Sequence, residues 1–260
     1  MIELIKTIFS TLQDQNCWLL SVYVFLFYSV LGIMALSIPF NVKSKNEKRD
    51  LQNRLVSIPN GFILSGLGAY YVFVIGPDVD AKSTPYTDMV DAIALGYFFY
   101  DMLFLGCMGI LSLQTFIHHA ASVVMFVGAL YTRDGAAGTV FALYFAEVTN
   151  LFMHLRVFIK SAGLRHSKLY ENAERLFVGT YVYLRCIAVW PYFIPMIMAP
   201  STPWTLFILA PLIMVQSHGW ALIMCKMLWK RYLEWKERKE NGVKLYWFSE
   251  NKEVYQLSYT

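Results

Sequence analysis

The sequence predicts an all-α fold: a polytopic membrane helix bundle of about seven transmembrane helices. Composition is the first reason. Of 260 residues, 57% are hydrophobic and only 15% charged, whereas soluble domains carry roughly a quarter charged and about half apolar residues. Pattern is the second reason. The apolar residues gather into seven runs, each near the roughly 20 positions a helix needs to cross hydrocarbon, and no strand-like alternation competes with them. Aromatics reach 17%, which suits lipid-facing helices and bilayer interfaces. These figures exclude a disordered chain, a nucleic-acid module and a secreted disulfide scaffold.

Residues 1–16 come first. Ile2, Ile5, Ile8, Phe9 and Leu12 share one helical face, so this stretch is expected to be an amphipathic interfacial segment. It has no basic region ahead of a short apolar core and does not read as a secretory signal. The first transmembrane helix falls within 17–41, near Cys17–Phe40, and ends at Pro39 and Asn41. The second spans Leu55–Ile75 and stops at the turn signal Gly76-Pro77. The third and fourth, Val90–Leu111 and Thr115–Tyr131, are separated only by Ser112, Leu113 and Gln114. Ala137–Ile159, Leu176–Met198 and Trp204–Trp229 complete the set. Trp18, Trp190, Trp204 and Trp229 stand near span ends, where indole rings anchor. Residues 232–260 form a charged tail, expected to be a solvated cytosolic helix whose basic residues touch anionic lipid.

Charge placement orients the bundle. Seven spans place Lys43–Arg54, Lys160–Arg175 and the chain from Lys226 onward on one side, and these hold 17 of the 22 Lys and Arg. Lys6, Lys82 and Arg133 fall opposite, among Asp78, Asp80 and Asp88. The positive-inside rule then puts the N-terminus outside and the C-terminus in the cytosol. The four cysteines, Cys17, Cys107, Cys186 and Cys225, lie apart in apolar stretches and have neither metal nor redox spacing.

Ionisable groups inside hydrocarbon are costly, so each is a candidate functional residue. They are Asp101 in the third span, His118 and His119 in the fourth, Glu147 in the fifth, Arg185 in the sixth and His218 in the seventh. Asn150 and His154 share the helical face of Glu147. Arg156 points elsewhere and is expected to snorkel. Asp101, Glu147 and Arg185 sit near mid-membrane, the others toward the cytosolic half. Two readings stay open: a polar site, or neutralisation of Arg185 by Asp101 or Glu147 in a buried ion pair. His118 and His119 point about 100° apart on a helix, which disfavours a shared metal ion, and no metal site is expected. Proton transfer or acyl transfer suits neutral imidazoles better.

Taken in order, these residues resemble the TLC family, which includes ceramide synthases, TRAM-type translocon partners and smaller TLC-domain proteins. The resemblance runs over 53–231. It opens at Asn53-Arg54-Leu55-Val56-Ser57 and continues through Gly96-Tyr97-Phe98-Phe99-Tyr100-Asp101 and the paired His118-His119. Glu147-Val148-Thr149-Asn150 with Arg156 completes it. It implies six helices in a ring around a lipid-accessible pocket, with an extra N-terminal helix. It also implies that His118 and His119 are the acyl-transfer pair and Asp101 a pocket residue. The region Glu147–Arg156 lacks the two aspartates of the synthase His-Asp-x-Ser-Asp run, and the compact length is that of the smaller TLC-domain proteins.

The leading expectation is therefore a protein that binds or handles lipid or acyl chains and influences membrane lipid composition. Asp101, Glu147, Asn150, His154, Arg185 and His218 would line its pocket. The alternative is an acyl-CoA-dependent N- or O-acyltransferase using His118 and His119, with acyl-CoA as substrate and no resident cofactor. A third reading is a structural subunit with protein partners in a larger membrane complex. Membrane lipids are the expected partners and nucleic acid is not. The compartment expected is the endoplasmic reticulum or another endomembrane, with a mitochondrial membrane left open.

Overall fold

A computed structural model describes residues 16–254, apart from 43, 77, 79, 81 and 252. The expected amphipathic segment thus lies outside the described residues, Asn16 excepted. The described chain is all helix and connection. Within it, α1 is Cys17–Ala35, α2 is Lys45–Tyr70 and α3 is Pro85–Met108. They are followed by α4 at Leu113–Thr132, α5 at Ala136–Ser161, α6 at Lys168–Val182, α7 at Trp190–Met198 and α8 at Trp204–Glu240. A π-helical turn, Tyr71–Ile75, prolongs α2, and a second, Tyr183–Ala188, joins α6 to α7. Counting these extensions, seven helices are long and apolar enough to cross a membrane, as the sequence predicts.

Local chemistry sets the helix ends. The Asn16 side chain accepts from the backbone N–H of Trp18 and Leu19 to cap α1, satisfying donors that have no intrahelical partner. Thr84 and Thr87 form a capping box ahead of Pro85 at the start of α3. The Ser112 and Ser167 hydroxyls cap α4 and α6 by accepting from the Thr115 and Tyr170 amides. The close boundary between the third and fourth spans is a real break: Gly109 ends α3 with φ 70°, a conformation that glycine adopts without a Cβ penalty.

Element bounds shift where charge and hydropathy part company. The second helix starts at Lys45, ahead of the predicted Leu55, because Lys45–Arg54 is polar but fully helical. The last helix is 37 residues, about 55 Å at 1.5 Å per residue, and so outruns the bilayer.

Neighbours in space define a ring in the order α2, α3, α4, α8, α6, α5 and back to α2, with α1 packed outside it against α3 and α2. Close helix approaches fall at glycines. A Cβ on Gly96 would come within 2.5 Å of the Ser21 carbonyl of α1, and one on Gly68 within 2.7 Å of the Tyr144 Cβ of α5. Without water to drive association, such small-residue contacts let backbones pack closely. Consecutive spans run antiparallel, α6, the π turn and α7 making one span. One end, the basic end, gathers the α1–α2, α3–α4 and α5–α6 connections with the C-terminal extension. There Arg49 Nη1 of α2 donates to the Met108 carbonyl at the end of α3. At the other end the Ser83 amide donates to the Arg133 carbonyl, and Asp88 pairs with Arg133.

Two expectations at the basic end are corrected. Arg156 does not snorkel: its Nε lies 3.0 Å from Glu174 Oε1, while Arg231 Nε lies 2.7 Å from Glu174 Oε2. The tail is helical only to Glu240, and one of its faces is packed rather than solvated. Glu234 and Arg238 are buried, and Arg238 pairs with Glu171. Beyond the helix the chain folds back, the Tyr246 carbonyl accepting from the Lys168 amide and Leu245 and Val254 being buried. Ring packing continues past the hydrocarbon on this face, where Glu174, Glu171, Arg231 and Arg238 pair, while Lys236 and Glu240 stay exposed.

Candidate functional site

Four ring helices bring their polar residues to one chamber. From α2 come Asp50, Asn53, Arg54 and Ser57; from α3, Asp101; from α4, His118 and His119; from α5, Glu147, Asn150 and His154. Arg185 enters from the π-helical turn, and the whole encloses a cavity of about 390 Å³. The chamber occupies the half of the bundle nearer the basic end. On its far side lies a smaller apolar slot of about 110 Å³, walled by Met125, Phe126, Phe145, Met196 and Leu206 among others. Phe98, His118 and Arg185 line both spaces, so they mark the junction between polar and apolar ends.

The chamber groups are held by specific contacts. Asn53 Nδ2 donates to Asp101 Oδ1 at 2.6 Å, and its own carbonyl oxygen accepts from the Tyr100 hydroxyl at 3.3 Å. The other carboxylate oxygen of Asp101 faces His119 Nδ1 at 3.5 Å, within ion-pair range but outside hydrogen-bond alignment. The His118 and His119 rings meet edge-on at 5.8 Å, and His118 also abuts Trp220 at 5.4 Å. His118 Nδ1 is buried with no hydrogen-bond partner among the described residues. At the basic mouth, Arg54 Nε bonds Asp50 at 2.7 Å while its Nη1 reaches His154 Nδ1 at 3.1 Å. Arginine only donates, so this contact makes Nδ1 of His154 the acceptor.

Of the two readings left open for Arg185, a direct ion pair with Asp101 or Glu147 is not formed; Asn150 stands between Arg185 and Glu147 instead. No carboxylate lies within 4 Å of its guanidinium among the described residues. Arg185 Nε instead donates to Thr149 Oγ1 at 2.9 Å, and Nη2 donates to the Ala146 carbonyl at 2.8 Å and Asn150 Oδ1 at 2.9 Å. Tyr181 stacks on it at 4.8 Å. Glu147 takes a hydrogen bond from Asn150 Nδ2 at 3.2 Å. Asn150 thus bridges cation and anion through its two amide atoms. Pro191 has no N–H to offer the Ile187 carbonyl, and the regular helix gives way to a π turn just ahead of it. That turn carries Arg185.

His218 is not brought to the chamber. Its Nδ1 lies 2.8 Å from the Met214 carbonyl, its ring rests 5.6 Å from Trp190, and it lines neither space. Among the described residues no three His, Cys, Asp or Glu could hold a metal ion. Sequence reasoning missed Asn53, Arg54, Ser57 and Thr149 as site residues. A signal was present for α2, since Asn53, Ser57 and Asn60 recur at helical spacing. Asn60 is fully buried and its amide has no partner among the described residues.

Residues 14–249 match the TLC domain. This chain belongs to the TLC-domain family. Among similar proteins is TLC domain-containing protein 2 of Danio rerio, 26% identical over 129 residues. That alignment covers 47% of this chain and 52% of the relative, so the chain spans about half the length of the curated protein it matches. The TLC domain accounts for the ring and for the multi-pass membrane character. Within it, the chamber is the place where this protein's buried polar groups converge.

Proposed function

We propose that this TLC-domain protein binds a lipid inside its helix ring, the polar end in the chamber and the hydrocarbon chain in the apolar slot. One observation carries the reading. The two spaces meet at Phe98, His118 and Arg185, so a single amphiphile would satisfy both. Ligand sites generally pair an apolar lining with a few convergent polar groups. Through such binding the protein would influence membrane lipid composition, and its TLC-family relationship supports an endomembrane setting. The 17 basic residues grouped at one end support a cytosolic orientation for the chamber mouth.

Native mass spectrometry of gently purified protein tests this. A lipid should be retained, and Ala142→Phe, which fills the slot wall, should lower its occupancy severalfold. Absence of any retained lipid overturns the proposal.

A second reading has its own observation: the proximity of Asp101 to His119, with His118 beside it. A carboxylate facing Nδ1 leaves Nε2 as the basic nitrogen. His119 would then take the proton from an amine or hydroxyl attacking an acyl-CoA carbonyl. The C–S bond breaks, and the departing thiolate recovers a proton. Labelled acyl-CoA with a panel of amines and lysolipids is the assay. Equal product formation by wild type, His118→Ala and His119→Ala removes this reading.

A further inference from the structure

Of the two chamber arginines, Arg54 pairs directly with Asp50, whereas Arg185 has no carboxylate in direct contact. Arg185 is 7% exposed, and its hydrogen bonds go to a hydroxyl, a backbone carbonyl and a side-chain amide, all neutral. Its Nε and Nη2 make these bonds, and the Tyr181 ring lies against the guanidinium at 4.8 Å. In a medium of low dielectric, a buried cation that reaches its nearest carboxylate only through a bridging amide, as Arg185 reaches Glu147 through Asn150, gains from an anion in direct contact. The chamber carboxylates do not touch it directly. Asp101 is held by Asn53 and faces His119, and Glu147 is held by Asn150.

Position adds to the argument. Arg185 stands where the polar chamber opens into the apolar slot. An anionic head bonded to its guanidinium would carry its hydrocarbon chain into the slot. A guanidinium N–H gives a charge-assisted hydrogen bond to a carboxylate or phosphate oxygen. The head must be compact, because Asp101 and Glu147 share the chamber and would repel an anion that extended toward them.

We propose that Arg185 is the head-group anchor for a single-chain lipid with a compact anionic head, a fatty carboxylate or a lysophospholipid phosphate monoester. This rests on the lipid-binding reading and deepens it by naming the head that the site selects.

The test is displacement of radiolabelled oleate from full-length protein in detergent, at alkaline pH where the carboxylate is ionised. Competitors are oleate, oleoyl lysophosphatidate and the neutral oleyl alcohol. In wild type, at least one anionic competitor should act at about tenfold lower concentration than the alcohol, the factor expected of a charge-assisted hydrogen bond. Which anion does so identifies the head. Arg185→Gln should bring anion and alcohol to parity, and Arg185→Lys should restore much of the difference. Because the readout is a ratio within one protein, loss of fold removes all binding and is not mistaken for lost selectivity. Native mass spectrometry reports any lipid that the Arg185→Gln protein still retains. Equal competition by anion and alcohol in wild type, or an unchanged ratio in Arg185→Gln, overturns the anchor and leaves lipid binding standing. Failure of wild type to bind any of the lipids overturns both.

Discussion

Glu174 and Arg185 show two ways of keeping a charge inside a bundle. Glu174 is 1% exposed and lies against two guanidiniums, those of Arg156 and Arg231, while also accepting from the Tyr170 hydroxyl. Arg185 has only neutral partners. The first arrangement holds its charge by direct ion pairs, the second by neutral hydrogen-bond partners. Removing one member of a buried ionic cluster strands the others. Glu174→Ala should therefore cost about 2–4 kcal/mol, short of the full buried-pair penalty because both arginines are partly solvated. Thermal unfolding in detergent measures it. Arg175→Ala is the contrast, since its pair with Glu171 sits on a well-exposed side chain and should shift stability by less than about 0.5 kcal/mol. Equal effects from the two substitutions would refute this account of the cluster. The identity of Arg185, Asp101 and Glu147 as candidates was legible in the sequence, because charge in an apolar run is conspicuous. Their partners were not, because Thr149, Asn53 and the Ala146 carbonyl are commonplace groups that only packing brings near.

At the scale of the helix, small residues decide which faces meet. On α2, Gly66 and Gly68 look alike in sequence. A Cβ at Gly68 would strike the Cβ and backbone of Tyr144, whereas at Gly66 nothing lies within 4 Å. Gly68→Ala should destabilise the bundle by about 1–3 kcal/mol through forced separation of α2 from α5, and Gly66→Ala should not. Melting curves of the two variants compare them directly, and a matched loss at both positions would count against the packing. The α2–α5 seam matters for the site, since it sets Asn53 and Arg54 against Glu147 and His154. Helix number followed from hydropathy because each span must contain its own backbone hydrogen bonds. The π turn under Arg185 escaped that reasoning, for composition reports apolar length and not hydrogen-bond register.

For the whole molecule, the ring converts six separate stripes into an inside and an outside. Polar groups from α2, α3, α4, α5 and the π turn meet in the half near the basic end, and apolar walls continue beyond them. His218 shows what linear depth leaves out: it stands at a similar level, yet its face turns to Trp190 rather than to the chamber. Likewise the charged tail reads as solvated, but its Arg238 and Glu234 pack into the end of the bundle. By itself the sequence determined a seven-span all-α membrane protein, its charge asymmetry and the short roster of buried ionisable residues. Those follow from the cost of placing polar backbone and charge in hydrocarbon, a cost paid residue by residue along the chain. Only the tertiary structure decided which of those residues share a cavity, which pair directly, and that Arg185 meets Glu147 only through Asn150. Helix rotation and close packing set those relations between segments far apart in sequence, and no local pattern encodes them.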